Sequence, residues 1–207
     1  MRLSVDSGAI DGDLVVPRGG RGVVVFAHGS GSSRHSSRNK HVAVALQAAG
    51  LGTLLFDLLT PAEEREDERT RALRFDIDLL SRRLEAVTDA LEDRPSARGL
   101  PVGYFGASTG AAAALRAAAA RPAVRAVVSR GGRPDLAGDA LGRVTAPTLL
   151  VVGELDREVL ELNREARARL GGPSELVIVP NASHLFEEPG ALDVVAGLAT
   201  RYFTRYL

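Results

Sequence analysis

Apolar residues along this chain fall into two interleaved patterns. Short unbroken runs rich in β-branched residues occupy 22–27 (GVVVFA), 51–57 (LGTLLFD), 102–105 (VGYF), 124–129, 147–153 (PTLLVVG) and 175–179. Runs of this kind predict strands buried on both faces. Between them lie segments with helical spacing. Residues 39–49 (NKHVAVALQAA) are stopped by Gly50, and 72–91 carry Leu73, Ile77, Leu80, Leu84, Val87 and Leu91 on one stripe. An Ala-rich stretch to Arg121 and residues 158–170 and 191–206 continue the series, while 134–141 have room for one short helix. Strands that alternate with helices predict a mostly parallel sheet covered on both faces. Ahead of it, residues 2–6 and 13–16 flank the turn SGAIDG and predict an N-terminal hairpin. Residues 61–71 carry eight charges and read as an exposed, mobile excursion.

Composition narrows the picture. A length of 207 residues suits a single domain over 1–207. Lysine plus arginine balance aspartate plus glutamate at 26 each, so no general attraction to nucleic acid or an anionic membrane is expected. The absence of cysteine excludes disulfides, thiolate metal sites and a cysteine nucleophile. The four histidines are scattered without metal-ligand spacing, and neither a metal nor a cofactor is expected. No leader-like apolar core follows Met1 and no run approaches 18 apolar residues, which predicts a soluble, cytoplasmic protein. Lys40 is the one lysine among the basic residues, and alanine and glycine abound, a usage that leads us to expect a GC-rich bacterial genome as the source.

Chemistry gathers where the predicted strands end. Gly106-Ala107-Ser108-Thr109-Gly110 joins a strand to an Ala-rich helix, the form of a nucleophile elbow, in which glycines relieve crowding around a strained serine. After the 22–27 strand, His28-Gly29-Ser30-Gly31-Ser32-Ser33 can aim backbone N–H groups at a phosphate or at an oxyanion, though it lacks the Gly-Lys-Ser/Thr ending of a P-loop. Asp57 ends the next strand, Glu154 and Asp156 follow the 147–153 strand, and His184 follows the last one. Ligand and catalytic groups collect at the carboxyl ends of open α/β sheets, and serine catalysis needs a base and an acid that orients it. Glu154 and Asp135 compete with Asp156 for the acid. His28 reads as a structural member of its loop, and Arg34, His35 and Arg38 as exposed, with substrate contact the lesser alternative.

The order Ser108, Asp156, His184 on successive strand ends resembles the α/β-hydrolase superfamily, over nearly all the chain from Gly22 onward. The short HGSGSSR loop, the FDLLT segment and the missing cap insertion resemble its dienelactone-hydrolase-like group of small bacterial hydrolases. That resemblance implies Ser108 as nucleophile, His184 as general base and then acid, and Asp156 as the orienting acid. It also implies an oxyanion hole from the backbone N–H groups of Thr109 and Ser30. Dienelactone hydrolases use a cysteine where this chain has Ser108, so the expected activity is hydrolysis of small esters or lactones in general. Acyl transfer on the same triad and a non-catalytic scaffold are the alternatives, and a homo-oligomer stays open. Arg130 and Arg133 leave the sheet near Ser108, where they either cap the sheet edge or line the pocket, in which case a guanidinium can hold a substrate carboxylate.

Overall fold

Strand β3 (Val23–Ala27) shows how one sheet supports two cores. Its side chains alternate, so Val23, Val25 and Ala27 enter one apolar cluster while Val24 and Phe26 enter another on the opposite face. The computed structural model describes residues 1–207. The other strands are β1 (Arg2–Val5), β2 (Gly8–Val15), β4 (Gly52–Phe56), β5 (Val102–Ala107), β6 (Ala126–Arg130), β7 (Thr148–Gly153) and β8 (Ser174–Val179). Across the sheet they run in the order β1-β2-β4-β3-β5-β6-β7-β8. β1 and β2 pair antiparallel, as do β2 and β4, and every later pairing is parallel. The architecture is the α/β-hydrolase fold expected from the sequence.

Six α-helices cover the sheet: α1 (Ser37–Ala48), α2 (Pro61–Thr70), α3 (Ile77–Asp89), α4 (Thr109–Ala120), α5 (Arg157–Arg169) and α6 (Ala191–Tyr206). Helices α3, α4 and α5 contribute to the cluster that holds Val23 and Val25, and α1 and α6 to the one that holds Val24 and Phe26. In α4, alanine after alanine is buried, and small side chains let the helix lie close on the strands beneath it. No helix is long and apolar enough to cross a membrane. Between β6 and β7 the chain holds only a 3₁₀ segment, Pro134–Arg143, kinked at Gly138. No cap is inserted there.

Three expectations need correction. The hairpin turn is tighter than SGAIDG, because β2 begins at Gly8. The 72–91 stripe is not one helix: a 3₁₀ turn, Leu73–Phe75, precedes α3, which starts where Asp76 accepts a hydrogen bond from the Leu79 N–H. The charged run 61–71 is ordered helix α2, not a mobile excursion. Thr60 Oγ1 accepts from the Glu63 N–H at 3.3 Å while Glu63 accepts from the Thr60 N–H at 2.8 Å, a reciprocal cap. Pro61 supplies the first helical position, where its missing N–H costs nothing. On the inner face Asp67 is buried and accepts from the Arg74 backbone N–H at 2.9 Å and from Arg74 Nε at 2.5 Å. Arg83, also buried, donates to Glu63 at 2.7 Å and to Ser7 at 2.6 Å, which ties α2 to α3 and to the hairpin.

Candidate active site

Ser108 stands between the end of β5 and the first residue of α4 with φ 50° and ψ −122°, a backbone conformation that non-glycine residues rarely adopt. The surrounding glycines make this turn fit. A β-carbon at Gly106 would lie 2.4 Å from Ala111 Cα, and one at Gly110 would lie 2.3 Å from the Ala27 carbonyl oxygen. No side chain is tolerated at either position, so α4 can start directly over β3 and β5. The first N–H groups of a helix have no carbonyl a turn behind them, and here those of α4 begin beside the Ser108 hydroxyl.

His184, in the loop after β8, meets one carboxylate. Its Nδ1 lies 2.6 Å from Asp156 Oδ2, and Asp156 precedes α5 at the end of β7. The two competing acids are engaged elsewhere: Glu154 accepts from the Asn181 N–H at 2.9 Å, and Asp135 holds Arg133. With Nδ1–H donated to the carboxylate, Nε2 is the nitrogen left to accept a proton. Ser108 and His184 line one cavity of about 240 Å³ together with Gly29, Ser30, Arg38 and Arg130. The serine and histidine make no hydrogen bond to each other in this structure; such bonds commonly tighten only around bound substrate.

The 28–33 loop is held by its histidine. His28 Nε2 accepts from the buried Leu58 N–H at 3.1 Å, which leaves Nδ1–H to donate to the Gly29 carbonyl at 3.0 Å. Burial lowers its pKa below the usual histidine value, with opposing pulls from the Gly29 carbonyl and Asp57. His28 therefore stays neutral and structural, as expected. Asp57 anchors the far end of the loop, accepting from the Arg34 backbone N–H at 2.9 Å and pairing with its guanidinium. Arg34 is thus half-buried rather than exposed.

Two expected contributors are placed differently. The Ser30 N–H does not point freely at an oxyanion position, because it donates to Thr109 Oγ1 at 2.9 Å. Arg133 turns away from the cavity into a bidentate pair with Asp135, at 2.9 and 2.7 Å, and is neutralised there. Conversely Arg38, read as exposed from the sequence, lines the cavity. Its place one residue into α1 was legible, but which way that turn faces depends on how α1 packs on the sheet. Arg130 ends β6 and is 7% exposed.

Residues 20–195 match the family described as the alpha/beta hydrolase domain. Proteins of two Mycobacterium tuberculosis strains, each named "Putative phosphoribosyl transferase", are 62% identical over 199 residues. The match takes in 96% of this chain but 44% of theirs, so the chain spans less than half the length of these curated relatives. The crystal structure of a dienelactone hydrolase from Anabaena variabilis is 59% identical, with a TM-score of 0.97 over 100% of this chain and 96% of that one. Est1E from Butyrivibrio proteoclasticus, solved with ferulic acid bound, shares the fold at 16% identity, with a TM-score of 0.80 over 100% of this chain and 98% of that one.

Proposed function

Since the chain belongs to the α/β-hydrolase family and is similar to its dienelactone-hydrolase-like members, we propose that it is a serine hydrolase that cleaves small carboxylic esters or lactones through an acyl-enzyme. The observation that carries this reading is the 2.6 Å bond from His184 to Asp156 at the rim of the cavity that also takes in Ser108. In the proposed cycle His184 Nε2 takes the Ser108 Oγ proton as Oγ attacks the carbonyl carbon. Asp156 holds the ring tautomer and stabilises the imidazolium that results. The imidazolium then gives its proton to the departing alkoxide, and water repeats the sequence to release the acid.

Negative charge on the carbonyl oxygen develops in front of the N-terminus of α4, where the Thr109 N–H and the helix dipole favour it. The Ser30 N–H is a second donor once it exchanges Thr109 Oγ1 for the substrate oxygen. The phosphoribosyl-transferase name belongs to proteins more than twice as long as this chain. For this chain, the serine, histidine and aspartate at the strand ends support acyl chemistry. The reading is tested by hydrolysis of p-nitrophenyl acetate and a small lactone by wild type and Ser108→Ala. Wild type is expected to turn over both with saturation, and the variant to lose about three orders of magnitude in kcat. A variant as active as wild type would place the chemistry elsewhere.

A further inference from the structure

The cavity wall beside Ser108 carries one positive charge, that of Arg130, that the protein leaves without a partner. Arg130 is 7% exposed, and its Nε is buried with no hydrogen-bond acceptor. No carboxylate reaches its guanidinium; the charge that acts on it is Arg38, of the same sign, and beneath it lies the Phe186 ring, its centroid 6.0 Å from Cζ. Burial and Arg38 pull the Arg130 pKa down to about 10, still high enough to keep it charged at neutral pH. Arg38, half-buried, adds a second positive charge from α1. Its Nε is buried and unpaired, and its one ion pair is to the exposed Glu187, 3.3 Å from Nη1. A buried guanidinium without a counter-ion, as at Arg130, is strongly disfavoured, and a second positive charge on the same cavity makes it more so. Only Ala107 and Leu185 among the lining residues are apolar, so the occupant is polar.

We propose that Arg130 and Arg38 form a subsite for the phosphoryl group of a phosphorylated small ester, whose carbonyl is thereby set against Ser108. The position is right because Arg130 pairs with Ala107 across the sheet, and its carbonyl accepts from the Ser108 N–H at 3.2 Å. The charge points to a dianion. A carboxylate offers two oxygens and a single charge, which one guanidinium fork saturates. A phosphomonoester offers three terminal oxygens and close to two charges at neutral pH, enough for two forks. The phosphoryl group does not react. The ester C–O bond breaks, water adds across it, and the phosphate leaves on whichever product carries it.

This assignment rests on the serine-hydrolase reading, and the test separates the two. Matched p-nitrophenyl esters of butanoate, succinate and 3-phosphonopropanoate differ only in the group on the third carbon: methyl, carboxylate or phosphonate. With spontaneous cleavage subtracted, wild-type kcat/KM is expected to rise in that order, with phosphonate at least about tenfold above butanoate. In Arg130→Met and Arg38→Met the phosphonate-to-butanoate ratio should fall to about one. Cleavage of butanoate without any gain for phosphonate overturns the subsite and leaves the hydrolase standing. Succinate equal to or above phosphonate overturns the dianion assignment. Calorimetric titration with inorganic phosphate reads the subsite without turnover: wild type and Ser108→Ala should bind, and Arg130→Met should bind at least about tenfold more weakly. No phosphate binding to a folded wild type overturns the proposal even if every ester is cleaved, whereas binding without ester cleavage supports the subsite and sinks the hydrolase.

Discussion

At Ser108 the backbone is held at φ 50° by its neighbours, at a cost of order 1–3 kcal/mol that serves the side chain's exposure rather than the stability of the fold. Ser108→Gly should therefore raise the unfolding free energy by about 1 kcal/mol while abolishing turnover, and Ser108→Ala should leave stability within about 0.5 kcal/mol. Denaturant titration of the three proteins checks this, and a glycine variant less stable than wild type would show that the turn is not strained. Asp156→Asn should cut kcat by roughly 10⁴-fold because it imposes the wrong tautomer, with Asp135→Asn and Glu154→Gln far milder. A dead Glu154→Gln beside a near-normal Asp156→Asn would reassign the acid. These placements were legible in the sequence because each follows a strand end: GASTG, Asp156 and His184 are adjacent in space through the sheet, not through sequence. The engagement of Ser30 by Thr109 and of Arg133 by Asp135 was not legible, since both are short-range choices between acceptors. For Arg130 the deciding detail was a single residue of strand length. β6 runs through Arg130 rather than ending at Ser129, and that carries the side chain into the interior.

Helix α2 is the element the sequence concealed. The eight charges of residues 61–71 suggested solvent, yet the pattern Thr60-Pro61-Ala62-Glu63 is a capping box with proline at the first position, a start signal readable without a structure. Nothing local announced that Asp67 would turn inward to Arg74 from the next segment. That pair lies beside the 28–33 loop, since Arg74 and Asp67 line a small pocket with Gly31 and Thr109. Removing one partner of a buried ion pair is strongly destabilising, so Asp67→Ala should lose about 3 kcal/mol. The pH dependence follows from the same contacts. Burial pushes the Asp67 carboxyl up, but the hydrogen bonds and charge of Arg74 outweigh it and leave the pKa lowered; for Glu63 burial is likewise outweighed, by Ser7, Thr60 and Arg83. Carboxyls depressed in the folded state contribute stability above their unfolded pKa, about 4, and lose it as pH falls through the folded values. Thermal unfolding from pH 7 to pH 2 should show this acid loss in wild type and a shallower one in Asp67→Asn. Identical slopes would remove Asp67 from the account.

The molecule as a whole is an α/β-hydrolase sheet whose strand ends are left open, because the segment between β6 and β7 holds only the 3₁₀ turn Pro134–Arg143. The alternation of buried runs with helical spacing was enough to foresee this architecture, and strand limits differ from the pattern by one or two residues at most positions past the hairpin. An uncapped site of about 240 Å³ has little apolar wall for a long acyl chain. Each buried methylene contributes about 0.8 kcal/mol, so a p-nitrophenyl ester series should peak at short acyl groups and fall beyond about six carbons. A maximum at decanoate or laurate would mean that an apolar channel forms on binding. The central claim is that Ser108 is a nucleophile activated by His184, and covalent labelling reads it without knowledge of the substrate. Wild type treated with a fluorophosphonate probe should gain one adduct, found by peptide mass spectrometry on Ser108, and His184→Ala should label far more slowly. A folded wild type that stays unlabelled, or one labelled at another residue, would contradict the account.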